Sequence, residues 1–448
     1  MSQTLEIGPA EDRRFAEMIE YAMDIARRAG AAECEAAVSH DLGLSVTARM
    51  RDIETLEYQN DRSFGVTVYF DHRKGSASTS DFRRGAITES VERACSIARR
   101  TAEDPCAGLA ERELLAVDPP DLGLDHAWSI SPEDAREMAI RCEGVALDAD
   151  PRITNSEGAT VATSRGVRSY GNSNGFFGSY HRSSHSISCA VLAADNGSME
   201  RDYHYTAARD PANLEGLEAV GRRAAERTLR RLGARQVPTA RVPVLFPPEL
   251  ARGFIGHAIG AVSGGAQYRK SSFLLGAAGE QIFPTFLNIL ERPHIPGAFG
   301  SAAFDREGVA TRDRDLVSAG VLQGYVLSSY SARRLGLATT GNAGGVHNLI
   351  VEGNADGLAS LTAEMDRGFI VTELMGQGVN AVTGDYSRGA AGFWVEGGEI
   401  AYPVSEVTIA GNLRDLYRSI VAVGRDQDLR GVIRCGSVLV DEMTVAGD

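Results

Sequence analysis

A chain of 448 residues exceeds what one hydrophobic core organises, and it is expected to divide into two or three domains. Hydrophobic residues make up 43% of it and glycines number 49, which excludes a disordered chain and points to a turn-rich globular one. A formal net charge of −14 opposes direct contact with nucleic acid, and no apolar run approaches the roughly 20 residues of a membrane span.

The N-terminus MSQTLEIGPAEDRR lacks a basic-then-apolar signal. Cys34, Cys95, Cys106, Cys142, Cys189 and Cys435 are scattered, with no CxxC, and read as reduced thiols filling the core. The expected compartment is the cytoplasm. Arginine pairs such as Arg222-Arg223 and Arg333-Arg334 lie beside carboxylates on helical stretches and read as solvated faces.

In chain order, residues 11–29 predict an amphipathic helix. Phe15, Met18, Ile19, Ala22, Ile25 and Ala26 form its stripe, and Gly30 stops it. Strand-like runs follow at 34–39, 44–50, 53–59 and 64–70, then a turn at 71–75 into 76–80 and a second helix over 85–102. Residues 103–131 break every period and read as a linker. Ser131-Pro-Glu-Asp134 opens a helix with a capping box. Four alternating runs at 153–162, 167–172, 178–194 and 199–207 precede a last helix from Asp210-Pro211 to Leu232. The expected fold class is α+β. Two helix-flanked antiparallel units, 1–110 and 132–235, are joined by the linker 111–131. A β-rich, glycine-rich domain over 236–448 follows and contains a central helix.

That helix draws the functional reading. Val242–Phe246 reads as a buried strand, Pro247-Pro248 ends it, and Leu250, Phe254, Ala258, Ala261 and Val262 recur at helical spacing. Gly253, Gly256 and Gly260 fall on a neighbouring strip, with His257 between the two faces. Each glycine costs the helix roughly 1 kcal/mol relative to alanine, so three aligned predict a close backbone, from this protein or a bound peptide. Other constellations carry less. His181 and His185 have helical-zinc spacing but lie on a strand pattern, where four residues span about 13 Å. His204 between two tyrosines reads as packing. The Gly341–His347 run lacks the Lys-Ser/Thr of a phosphate loop and reads as a turn. Ser263-Gly-Gly is no nucleophile elbow, and Cys435 has no histidine near it in sequence.

Five stretches together resemble the TldD/PmbA (TldD/TldE) family along nearly the whole chain, specifically its PmbA (TldE) branch, which carries the label "modulator of DNA gyrase". They are Gly256–Phe273, Thr340–Leu349, Gly376–Trp394, and the tail segments Tyr402–Asn412 and Cys435–Val440. The resemblance implies a TldD-type partner with H-E-x-x-x-H on the equivalent helix. There the histidines and a later cysteine would hold zinc, and the glutamate would act as general base. In this sequence the two histidine positions are Gly256 and Ala261, the glutamate position is His257, and the cysteine position falls near Val423-Gly424.

The implied role is therefore a subunit without its own metal site or catalytic residues. It would pair with a TldD-type chain that carries the zinc, in an assembly that trims or degrades small or unfolded peptides, in peptide maturation and antitoxin turnover. A peptide would enter as an added strand. Gly253, Gly260, Gly344, Gly345, Val346, His347, Asn348, Leu349, Gly378, Val379 and Asn380 are its expected cleft. Self-association in the partner's absence is expected as well. Two rivals stand beside this reading. One is an autonomous hydrolase rearranged around His257, His294, His347 or Cys435, and the other is a gyrase-binding regulator.

Overall fold

The computed structural model describes residues 7–8 and 10–447. Half of the 14-residue start read above for a signal lies outside them.

Helix α1 (Ala10–Arg28) buries Phe15, Met18, Ile19, Ala22 and Ala26 of the predicted stripe, and Gly30 leaves it at φ +86°. Where the sequence predicts four short strands, two long ones form: β1 (Glu33–Arg49) and β2 (Asp52–Phe70), turning at Met50 and Arg51, both with positive φ. The polar tract 39–43 does not interrupt β1 because its backbone is bonded on both flanks. Next come β3 (Arg73–Thr79) and α2 (Arg84–Ala98), which ends sooner than the pattern predicts.

Helix α3 (Pro132–Leu147) carries the predicted capping box. Ser131 Oγ accepts from Asp134 N at 3.0 Å, and the Asp134 carboxylate accepts from Ser131 N at 2.9 Å. Strand β4 (Ile153–Asn172) fuses two predicted runs, and β5 (Phe177–Asp195) and β6 (Ser198–Ala208) follow. Asp210 caps only a 3-10 turn at Pro211–Asn213; α4 (Leu217–Arg231) begins later, behind Gly216.

These strands make one sheet in the order β3-β2-β1-β4-β5-β6, because β1 pairs antiparallel with β4 from Glu35↔Asn172 to Ala48↔Ala159. The two helix-flanked units thus stand side by side on a continuous sheet. Cys34, Ala36 and Val38 meet α1 and α2, while Leu44, Val46 and Ala48 meet α3 and α4. Even spacing puts all six on one face.

The 111–131 stretch contains one short 3-10 turn and is held along its length. Leu115, Leu122 and Leu124 are buried, Ser183 N donates to Leu124 O at 2.9 Å, and Arg165 pairs with Asp125. Just before it, the Arg333 guanidinium donates to the carbonyls of Cys106 and Gly108.

The remaining elements, in chain order, are β7 (Ala240–Phe246), α5 (Pro248–Ala261), α6 (Gly264–Tyr268), β8 (Ile289–Glu291), β9 (Arg314–Ser318), β10 (Val321–Leu322), α7 (Ser329–Leu335), β11 (Leu349–Val351), α8 (Leu358–Met365), β12 (Gly368–Met375), β13 (Asp385–Glu396), β14 (Glu399–Asn412), α9 (Leu413–Arg418), β15 (Ile420–Val423), β16 (Ile433–Arg434) and β17 (Val438–Ala446). One sheet runs β14-β13-β12-β7-β17-β15, and pairing of β14 with β17 closes five of its strands into a barrel. A smaller sheet runs β10-β9-β8-β11-β16. The apolar stripe of α5 packs into the barrel-side core: Phe254 stacks on Phe246 at 4.8 Å, and Tyr417 Oη donates to Phe254 O at 2.8 Å. The fold is α+β, with a mixed, barrel-like C-terminal sheet around its central helix.

Candidate functional site

Helix α5 begins at Pro248 and buries Ala251, Phe254, Ile255, Ala258 and Ala261. What remains outside the core is the glycine strip. A Cβ added at Gly253 or Gly260 would meet nothing within 4 Å, and one at Gly256 would reach only Ile433 of β16, at 3.7 Å. Among the described residues no backbone fills the room that these glycines leave.

Beside the strip, His257 is half-buried, and its ring lies 6.0 Å from that of Tyr386 on β13. Burial lowers the His257 pKa, and the Arg388 guanidinium nearby lowers it further. Tyr386 and Arg388 are two residues apart on one strand and therefore share a face. Burial raises the Tyr386 hydroxyl to about 12 against the pull of Arg388. The loop after β12 joins this corner. Val379 bridges to Tyr386, Ser387 N donates to Gly378 O at 2.7 Å, and a Cβ at Gly378 would overlap the Ser387 carbonyl oxygen. Gly378, Val379 and Asn380 are thus brought to the His257 corner, with Gly378 and Asn380 exposed.

The 344–349 run is placed differently. Gly344 and Gly345 are exposed with φ of +105° and +123°. The turn is locked from behind: the Glu291 carboxylate accepts from Asn342 Nδ2 at 2.7 Å and from His347 N at 2.6 Å, and His347 Nε2 bonds Gly341 O at 3.1 Å. Asn348 is fully buried and donates to Arg292 O and Ser301 Oγ, and Leu349 is core. Strand β11 is paired on both sides, by β8 and β16, so Leu349 presents no free edge for an added strand. The loop 376–384 likewise spends amides on β13 and on itself. Of the expected cleft residues, Gly253, Gly260, Gly378 and Asn380 meet solvent around one corner; Val346 and His347 are half-buried, and Asn348 and Leu349 face inward.

At the start of α5 lies a cavity of about 1010 Å³, bounded by His204, Arg209, Glu249, Phe299, Arg430 and Arg434 among others. Several of its charges are neutralised. Arg227 grips Glu249 at 2.8 Å, Arg430 grips Asp428 at 2.8 Å, and Arg252 reaches Asp428 at 3.3 Å. Burial would raise Asp428, but the bonds from Arg430 and the charge of Arg252 prevail and hold it below the usual carboxylate range.

Zinc, which the resemblance assigns to the partner, can be tested against the residues present here. A catalytic site takes three protein ligands and an open position. Gly256 and Ala261 offer no donor atom, and Val423 is buried core beside the side-chain-less Gly424. Cys435 is fully buried, and burial pushes its thiol pKa up. Among the described residues no group of three or more His, Cys, Asp or Glu is arranged to hold a metal ion. The donor set does not fit zinc. The other histidines are occupied: His294 bonds Thr311 Oγ1 at 3.0 Å, His181 pairs with Asp12 at 2.9 Å, and His185 sits between Thr163 and the His126 carbonyl. Tyr386 and Arg388 lie within the Gly376–Trp394 stretch, to which the sequence alone assigns no site residue beyond Gly378, Val379 and Asn380. Their alternation on a strand was the available signal.

Three domain models of the PmbA/TldA metallopeptidase family match consecutive parts of the chain: domain 1 over 34–98, the central domain over 125–232 and the C-terminal domain over 239–447. Metalloprotease PmbA of Escherichia coli is 51% identical over 413 residues, 92% of each chain. A Bacteroides thetaiotaomicron structure, put forward as a modulator of DNA gyrase, superposes with a TM-score of 0.92 at 29% identity and covers 97% of this chain and 99% of that one. TldE from Thermococcus kodakarensis shares the fold, with a TM-score of 0.80 at 20% identity over 97% of this chain and all of that one. No helix among the described residues is long and apolar enough to cross a membrane. The chain belongs to the PmbA/TldD metallopeptidase family.

Proposed function

We propose that this chain is the TldE-type, metal-free half of a TldD/TldE peptidase that trims or degrades small or unfolded peptides. It shapes the substrate cleft while a TldD-type subunit supplies the zinc and the general base. The observation that carries this reading is the α5 surface: an open strip of Gly253, Gly256 and Gly260 at a position where Gly256, His257 and Ala261 hold no ligand set. Such a strip is costly to a helix and admits a backbone from outside the chain. Its likeness in fold to a TldE chain supports the assignment. The peptide lies along the glycine strip and the 376–380 loop, since β11 offers no edge.

The test is a cleavage assay on unfolded peptides with this chain, its cognate TldD-type subunit, and both together after co-purification. Cleavage is expected only with both present. No gain over the TldD-type subunit alone would overturn the reading.

A further inference from the structure

The corner beside the glycine strip holds a guanidinium and no carboxylate to balance it. Arg388 makes no ion pair with any described carboxylate; its guanidinium bonds Leu374 O at 3.4 Å and leans toward the Tyr386 hydroxyl, and its Nε is buried without a partner of ordinary geometry. Tyr386 is 1% exposed, and its hydroxyl oxygen is likewise buried with no hydrogen-bond partner of ordinary geometry. His257 adds a half-buried imidazole that makes no hydrogen bond among the described residues and lies 6.0 Å from the Tyr386 ring. Of the arginines around α5, Arg227, Arg252 and Arg430 pair with carboxylates, while Arg434 shares with Arg388 a buried Nε and no ion pair among the described residues. Unmatched buried donors around a guanidinium are a cost to the fold unless an anion completes them.

We propose that Arg388, with His257 and Tyr386, forms a carboxylate-binding subsite beside the glycine strip and anchors an acidic group of the bound peptide. The inference rests on the peptide-cleft reading above and names the chemistry of that cleft's ligand. Arg388 supplies the charge, His257 a second donor from the open side, and Tyr386, buried behind them, steadies the guanidinium. The carboxylate comes from the peptide's C-terminus or from an Asp or Glu side chain. Where the resemblance puts a cation in the partner, this chain presents a site for an anion.

The experiment is fluorescence anisotropy with the full chain, alone and mixed with its TldD-type partner in EDTA so that nothing is cut. The probe is an N-terminally labelled Ala-Val-Ala-Val-Ala peptide, prepared as the free acid, as the C-terminal amide, and as an amide with glutamate at its centre. The free acid is expected to bind at least about 10-fold tighter than the plain amide, as a lost charge-assisted contact implies. Arg388→Gln should erase that difference, and Arg388→Lys should restore part of it. Tight binding of the glutamate amide would also support the subsite and assign it to a side-chain carboxylate. Equal binding of acid and amide to the unaltered chain overturns the subsite and leaves the cleft standing. Binding of neither, with or without the partner, overturns both.

Discussion

His185 shows how one residue type takes several roles here. It lies fully buried on β5, where its Nδ1 shares a 2.8 Å bond with Thr163 Oγ1 and its Nε2 reaches the His126 carbonyl at 2.8 Å. The carbonyl requires a proton on Nε2, which leaves Nδ1 to accept from threonine in the neutral ring. Burial lowers the pKa of His185, and likewise of His204, His257 and His347. For a histidine whose folded pKa lies below the unfolded value of about 6.5, the stability contribution is complete above that value. It is lost as pH falls through the folded pKa. Melting temperature should therefore drop between pH 7 and pH 5, and His185→Gln should flatten part of that slope. A slope identical in the variant would show that His185 does not contribute.

At the scale of one element, α5 retains glycines against its own interest. Gly253 sits mid-helix and Gly260 in the last turn, both with open space around their missing Cβ atoms, so no described residue demands them. Gly253→Ala and Gly260→Ala should each stabilise the chain by about 0.5–1 kcal/mol, read from urea unfolding. The same variants should weaken peptide cleavage by the assembly, because the added methyl groups stand where the peptide backbone passes. Stabilisation with full activity would instead mark the strip as unused surface. Gly378 is held for an internal reason, since the Ser387 carbonyl occupies the place of its side chain.

Across the whole molecule, the N-terminal six-stranded sheet and the barrel are coupled through half-buried donors that cross between them. Arg209, just after β6, donates to Ser183 O on its own sheet at 3.0 Å. It also donates to Ala298 O at 3.1 Å and Phe299 O at 3.0 Å on the barrel side. Burial lowers its pKa to about 10. Arg209→Met removes three hydrogen bonds at roughly 1 kcal/mol each and strands three carbonyls. Calorimetry should show a lower first transition, separated from the second. A single unshifted transition would place the coupling elsewhere. Arg333 makes a similar tie between α7 and the carbonyls of Cys106 and Gly108.

The residue string by itself determined whatever depends on near neighbours. The stripe and end of α1, the Ser131–Asp134 cap, the start of α5 at Pro248 and the absence of ligand atoms at Gly256 and Ala261 are of this kind. Helix caps and periodicity act over a few residues, so they are legible locally. Only the tertiary structure decided that β1 joins β4, that β14 closes onto β17, that Asn348 faces inward, and that Arg388 arrives beside His257. Those outcomes follow from satisfying backbone bonds and burying faces between segments far apart in sequence, which no local pattern encodes. The tract 39–43 makes the point: polar enough to read as a break, it stays strand because β2 and β4 flank it on both sides.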